Sequence, residues 1–246
     1  MRVTRGKQNP QMSAVKRITA DIAELAKPLY ADAGIFYAGN EEDIHKGYAC
    51  VFGPADSPYE DCPMLYEFTI PTTFPFDNPQ VQFKTYDGKT RFHPNMYVDG
   101  KCCLSILGTW SGPKWASTMR LSTILVTLQS LMDNNPILHE PGYSNPSPHM
   151  VQEYRDRVEH ACIFYILERA EAHPSKQPAA FQPFQEQFRE RLPGTLERLE
   201  KRLRALCARG ERQFQGLAYQ MSGMTQYQNL LTRVLKLKAA LNKPTE

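Results

Sequence analysis

The sequence has little of what would place a chain in a membrane or in a disulfide framework. No stretch approaches the roughly 18 consecutive apolar residues that a bilayer crossing needs, so no membrane contact is expected. The opening MRVTRGKQNP has no apolar segment, so no secretory signal is expected. The six cysteines, Cys50, Cys62, Cys102, Cys103, Cys162 and Cys207, contain no C-x-x-C pair. Without a secretory signal a disulfide framework is not expected, and without paired cysteines neither is a structural zinc site. The default for each thiol is a small buried hydrophobe. Charge of one sign is also scarce: 29 basic against 26 acidic residues leave +3. That is too mild to point to nucleic acid, and no base-reading helix, aromatic-basic stacking pattern or glycine-rich phosphate loop is present. No nucleic-acid partner and no resident cofactor or metal are expected. Repeats of 20 to 50 residues are absent too.

What is present is enough chain, 246 residues, for a domain of about 150 plus an extension. Residues 13–31 read as an amphipathic helix, with Ile18, Ile22, Leu25 and Leu29 at spacings of four, three and four and Ser13 as N-cap. The period then changes. GIFYAG, HKGYACVFG, MLYEFTIP and VQFKTY are short runs rich in aromatic and β-branched residues, separated by Gly, Pro, Asp and Asn. They predict four consecutive strands in an antiparallel meander. Residues 87–120 follow with few strand signals and no helical period, and a long ordered loop of that kind is usually functional. LSTILVTLQSLMD, 121–133, predicts a largely buried helix, ended by prolines at 136, 141, 146 and 148. The remainder reads as helices over 149–172, around Leu196–Leu206 and around Tyr227–Leu241. The expected class is therefore α+β. A flexible N-terminus spans 1–12, a core domain 13–148 and an all-helical C-terminal extension 149–246.

The loop RFHPNMYVDGKCCLSILGTW carries adjacent thiols. If the segment is extended, successive side chains face opposite ways. Cys102 then points inward with Leu104 and Ile106, and Cys103 outward with Lys101 and Ser105. That argues against joint metal ligation and favours Cys103 as the reactive thiol, because reactivity needs access and thiolate character. A cysteine nucleophile usually needs a base. His93 and His139 are the local histidines, so a Cys-His hydrolase is one reading. Against it, His93 sits in FHPN, where an imidazole more often braces a turn, and nothing aligns either histidine with a third orienting group. The Asn95 amide suits two roles, a donor to an oxyanion and a brace for the loop.

The order of HPN, four residues, Gly-Lys-Cys-Cys-Leu and then Trp resembles the ubiquitin-conjugating enzyme family. KRITADIAEL resembles its first helix, GPADSPYEDCPMLYEFTIPTTFPFDNPQVQF its strand and proline-rich series, and LSTILVTLQSLMDNNP its central helix. GKCCLSILGTWSGPKW with NNPILHEPGY is similar to the Z-type, or Use-one, subfamily, which has a longer loop after the cysteine and a helical C-terminal extension. The resemblance covers about residues 13–143 and implies the UBC fold. It puts Cys102 in a place usually held by an aliphatic residue and Cys103 in the catalytic place. Cys103 would accept ubiquitin, or a ubiquitin-like modifier, from an activating enzyme as a thioester and pass it to a substrate lysine or a ligase cysteine. ATP is consumed by the activating enzyme, so no cofactor is implied. Glu140 matches the place of an acidic gate residue that orients the amine and takes its proton, with His139 beside it, and Asn95 braces the loop or stabilises the oxyanion. Lys16 and Arg17 would meet the activating enzyme, and Phe76 the ligase. Trp115-Ala116-Ser117-Thr118 lacks the proline common there, which argues against ordinary RING-ligase recognition. The implied location is the cytoplasm, with the nucleus as a second compartment. The alternatives are a non-catalytic ubiquitin-binding variant of the same fold, against which the retained Cys103 weighs, and the hydrolase.

Overall fold

The switch of hydrophobic period near residue 33 is where helix gives way to sheet. The structure, a computed structural model, describes residues 10–85, 87–143 and 145–242. Residues 1–9 of the expected flexible terminus lie outside the described residues. Helix α1 (Pro10–Leu25) begins inside that expected terminus and turns Ala14, Ile18, Asp21 and Leu25 inward. It is shorter at its far end than the apolar spacing predicts. Pro28 disfavours helical backbone at the residue before it, and Lys27 is extended (φ −69°, ψ 146°). A separate turn, α2 (Pro28–Asp32), follows, and Leu29 on it is 70% exposed rather than in the core.

Four strands then pair in sequence order: β1 (Ile35–Gly39), β2 (Lys46–Phe52), β3 (Pro63–Thr69) and β4 (Gln80–Phe83), all antiparallel. The register sets Cys50 opposite Phe36 on one side and Leu65 on the other. The central pair β2–β3 is buried almost along its whole length, as a sheet covered on both faces must be. α1 lies on β1, and α3 (Leu121–Ser130) on β2 through Leu121, Ile124, Leu125 and Leu128. Each such side chain contributes about 1.5–3 kcal/mol by leaving water. The carboxylate of Asp21, 1% exposed, accepts from the Leu121 amide at the first turn of α3 and from Arg17 and Arg120. One buried acid thus caps one helix from another, where the dipole favours negative charge.

Gly53 ends β2 where a Cβ would sit 1.8 Å from the Tyr59 carbonyl oxygen, so no larger residue fits. The Tyr59 hydroxyl donates to Phe92 O (2.5 Å), tying the proline-rich turn to the start of the cysteine loop. That loop is fixed elsewhere by Asn78 Nδ2 on Leu107 O (3.0 Å) and Trp115 Nε1 on Pro75 O (2.7 Å).

The extension holds three long helices, α4 (Pro148–Glu171), α5 (Gln185–Arg209) and α6 (Tyr227–Leu241). It is not wholly helical, which corrects the expectation. A hairpin of β5 (Gln213–Leu217) and β6 (Met221–Met224) stands between α5 and α6. Gly216 and Gly223 take positive φ there, as do Tyr219 and Gln220 at the tip, and a helix cannot run through such backbone. Arginines of α5 fasten the extension to the core: Arg191 to Ala31 O (2.9 Å), Arg198 to both Asp61 oxygens, and Arg202 to Ser57 O (3.0 Å) and Glu60 Oε2 (3.3 Å). Arg191 also lies over the rings of Phe36 and Phe52.

Candidate functional site

Asn95 holds Cys103 by two bonds. The Cys103 amide donates to Asn95 O (2.8 Å), and Asn95 Nδ2 donates to Cys103 O (2.6 Å). The side-chain amide is therefore a brace in this structure. Thr109 supports the next turn, accepting from the Leu104 amide (3.0 Å) and donating to Cys102 O (2.8 Å). Cys102 bridges to Met96 and packs in the apolar core with Leu104 and Ile106, as the alternation predicts. Burial pushes its thiol up to about 12. The outward half of that expectation fails. Cys103 is 2% exposed, no more than Cys102, although it is not part of the apolar core cluster. Asn95 pins the Cys103 backbone at both its amide and its carbonyl, and the chain stays extended through Leu104 (φ −134°, ψ 142°) before it coils into a 3-10 turn at Ser105–Leu107, so Cys103 is covered on the face that alternation assigns to solvent.

The histidines form a separate layer. His93 is fully buried, and its Nδ1 accepts from the Asn95 amide (3.0 Å). Burial first, then neighbouring His139 and Arg91, hold its pKa well below the ordinary range, so it is neutral. It braces the turn. His139 lies against it, ring centroids 4.8 Å apart, with Nε2 on Asp133 Oδ2 (2.8 Å). Among the described residues no imidazole hydrogen-bonds the Cys103 thiol, so the geometry offers the hydrolase reading no base.

Glu140 follows His139, and Pro141 faces Gly108, Thr109, Trp110, Ser111 and Lys114 across an open cleft of about 870 Å³. The gate candidate thus stands in the chain between His139, which lies against His93, and Pro141, which lines that cleft. Its Oε2 accepts from the Tyr219 hydroxyl (2.6 Å), which comes from the β5–β6 hairpin. Sequence reading missed this partner, and it also missed Arg91. The Arg91 guanidinium, in a residue 7% exposed, donates to His93 O (3.2 Å) and Pro94 O (2.6 Å) and lies over the rings of Tyr97 and Tyr219, 3.3 and 4.7 Å from their centroids. No local pattern marks either residue. An arginine immediately before an FHPN turn was the one available hint.

Of the partner-surface candidates, Phe76 (72% exposed) and Lys16 are open to solvent. Arg17 is engaged internally: it donates to Asp21 Oδ1 (2.9 Å), Ser117 O (3.0 Å) and Met119 O (2.5 Å), so it joins α1 to the segment before α3. Among the described residues no cluster of three His, Cys, Asp or Glu side chains is placed to hold a metal, and no helix is long and apolar enough to cross a membrane. All six cysteines are free.

The sequence model described as "Ubiquitin-conjugating enzyme" matches residues 17–162, running into α4. The chain is 42% identical over 130 residues to ubiquitin-conjugating enzyme E2 Z of Xenopus tropicalis, covering 52% of this chain and 41% of that one. It is 38% identical over 149 residues to the Homo sapiens protein of that name, covering 60% and 42%. It thus spans about two-fifths of the length of these relatives. Among solved structures it is similar to a Toxoplasma gondii ubiquitin conjugating enzyme E2 domain, at TM-score 0.46 and 22% identity, covering 61% of this chain and 94% of that one.

Proposed function

Because this chain belongs to the ubiquitin-conjugating enzyme family, and within it is Z-type-like, we propose that Cys103 carries ubiquitin or a ubiquitin-like modifier as a thioester. The thiolate attacks the modifier's C-terminal carbonyl, already activated as a thioester on an activating enzyme, and the donor's sulfur leaves. A substrate amine, or a ligase cysteine, then attacks the same carbonyl and Cys103 leaves. A thioester needs little further activation, but a lysine of pKa about 10.4 must lose a proton on the way. Glu140 takes that proton, a task suited to a carboxylate at the mouth. The single observation that supports the reading is the two-bond clamp by which Asn95 of the HPN turn holds the backbone of Cys103. The partners that follow are a modifier, an activating enzyme, a ligase and protein substrates. Lys16 and Phe76 are open for such contacts, and the missing proline after Trp115 points to a ligase other than an ordinary RING.

The test is loading. The protein is incubated with activating enzyme, ATP and ubiquitin, and separately with other activating enzymes and ubiquitin-like modifiers, then run on a non-reducing gel. A reducible adduct in the parent and in Cys102→Ala, absent in Cys103→Ala, is expected. An adduct that survives Cys103→Ala and vanishes in Cys102→Ala would overturn the assignment. The 2% exposure of Cys103 favours the second reading, a binding module of the same fold. That reading predicts ubiquitin binding with no adduct from any activating enzyme.

A further inference from the structure

The extension reaches the gate. Tyr219 lies 79 residues beyond Glu140 in sequence, at the tip of the β5–β6 hairpin, yet its hydroxyl donates to Glu140 Oε2 at 2.6 Å. That is the only hydrogen bond to the Glu140 carboxylate among the described residues, so Oε1 is left without a protein partner. The tip is fastened on several sides. The Tyr219 ring carries the Arg91 guanidinium 4.7 Å above it and meets Tyr154 edge-on at 6.1 Å. Tyr154 donates to Arg91 O (2.6 Å), and the Arg91 amide contacts Met221 Sδ (3.3 Å). The same guanidinium bonds the carbonyls of His93 and Pro94, so tip, gate and cysteine loop form one unit.

The backbone at the tip is unfavourable. Tyr219 (φ 60°, ψ 26°) and Gln220 (φ 58°) are both left-handed, a conformation that costs about 1–2 kcal/mol for a residue with a Cβ. Such strain persists only where surrounding contacts over-determine it. Burial, and next the bond to Glu140, raise the Tyr219 phenol above its ordinary range, which keeps it a neutral donor.

We propose that Tyr219 is a positioning residue for the transfer step, fixing Glu140 by one oxygen so that the other receives the proton of the attacking amine. It rests on the thioester reading above. In that step the amine nitrogen bonds to the modifier's carbonyl carbon, the carbon–sulfur bond to Cys103 breaks, the thiolate departs, and the amine proton passes to Glu140 Oε1. The extension is on this account part of the transfer site.

The experiment is single-turnover discharge of the Cys103 thioester in four proteins: parent, Tyr219→Phe, Glu140→Gln and the double variant. Tyr219→Phe keeps the ring and its contacts with Arg91 and Tyr154 and removes one hydroxyl. Two nucleophiles separate positioning from damage: free lysine, which must be deprotonated, and hydroxylamine, which is already neutral near pH 7. Tyr219→Phe is expected to slow discharge to lysine about fivefold or more while hydroxylamine discharge stays within about twofold. Glu140→Gln slows lysine at least as much, and adding Tyr219→Phe to it changes nothing further, because the two act through one carboxylate. Lysine discharge at the parent rate in Tyr219→Phe, equal slowing of both nucleophiles, or a full additional loss in the double variant would each overturn the proposal while leaving the thioester reading standing. A parent protein that forms no Cys103 thioester with any activating enzyme would overturn that reading and this one with it.

Discussion

Cys102 and Cys103 are equally covered, so access does not rank their reactivity, but ionisation places Cys102 well below an ordinary thiol. Burial raises its pKa from 9.0 to about 12. At pH 8 a thiol of pKa about 9 is roughly one-tenth ionised and one of pKa about 12 roughly one part in ten thousand, a loss of about a thousandfold. The more basic thiolate is a better nucleophile; a Brønsted slope of about 0.45 over three units gives back about twentyfold. The net deficit is about fiftyfold before burial is counted. The perturbation is iodoacetamide on the native parent and on Cys103→Ala, with label at each cysteine followed over time by peptide mass spectrometry against a free-cysteine standard. Cys102 is expected to react at least about fiftyfold more slowly than the standard in both proteins, with its rate rising about tenfold per pH unit. Cys103 is expected to react faster than Cys102, whose ionisation burial suppresses. Cys207, the least buried of the six, is the site whose label must be counted separately. Labelling of Cys102 within about fivefold of the standard, or as fast as Cys103, would refute the reasoning.

Two further outcomes follow from buried polar groups. Arg91→Met is expected to destabilise the protein by about 3 kcal/mol in urea unfolding and to impair loading. It removes two charged hydrogen bonds and two ring contacts, less the cost of burying the guanidinium; unchanged stability and loading would remove Arg91 from the site. His160, 8% exposed, accepts from the Gln226 amide at Nε2, and burial, then Arg157, lower its pKa from 6.5 to about 4. The unfolded chain therefore takes the proton first as pH falls. The contribution is complete above about pH 6.5 and is lost toward pH 4, amounting to about 3 kcal/mol. His160→Gln, whose amide oxygen can accept the same bond, should flatten that part of the stability–pH curve, and a curve parallel to the parent's would contradict the assignment.

The fold was legible where one physical pattern governed a segment. Alternating aromatic and β-branched runs between Gly and Pro gave the four-stranded meander, because a covered sheet selects such residues at nearly every position. The apolar spacing gave α1, α3 and the long helices of the extension. Where two patterns competed, the local one won. Leu29 continues the helical period on paper, but Pro28 sets the backbone and Leu29 ends in solvent. The hairpin was missed because QFQGLAYQMSGM is short, carries two glycines and has one buried residue per few positions, too weak an alternation to outweigh the helices on either side.

The site divides along the same line. His93, Asn95 and Cys103 lie within a dozen residues, so their mutual geometry is local and a motif can encode it. Even there, alternation was right for Cys102 and wrong for Cys103, since it says which way a side chain points and not whether other parts of the fold cover that face. Arg17 shows the opposite failure. On α1 it reads as a solvent-facing cation, but its hydrogen bonds run to carbonyls a hundred residues away. Tyr219 is more distant from any motif, and its chemistry, a lone tyrosine, has no signature at all. It is long-range packing that brings it to Glu140: the contacts of its ring with Arg91 and Tyr154 hold the tip in place and outweigh the left-handed backbone at residues 219 and 220.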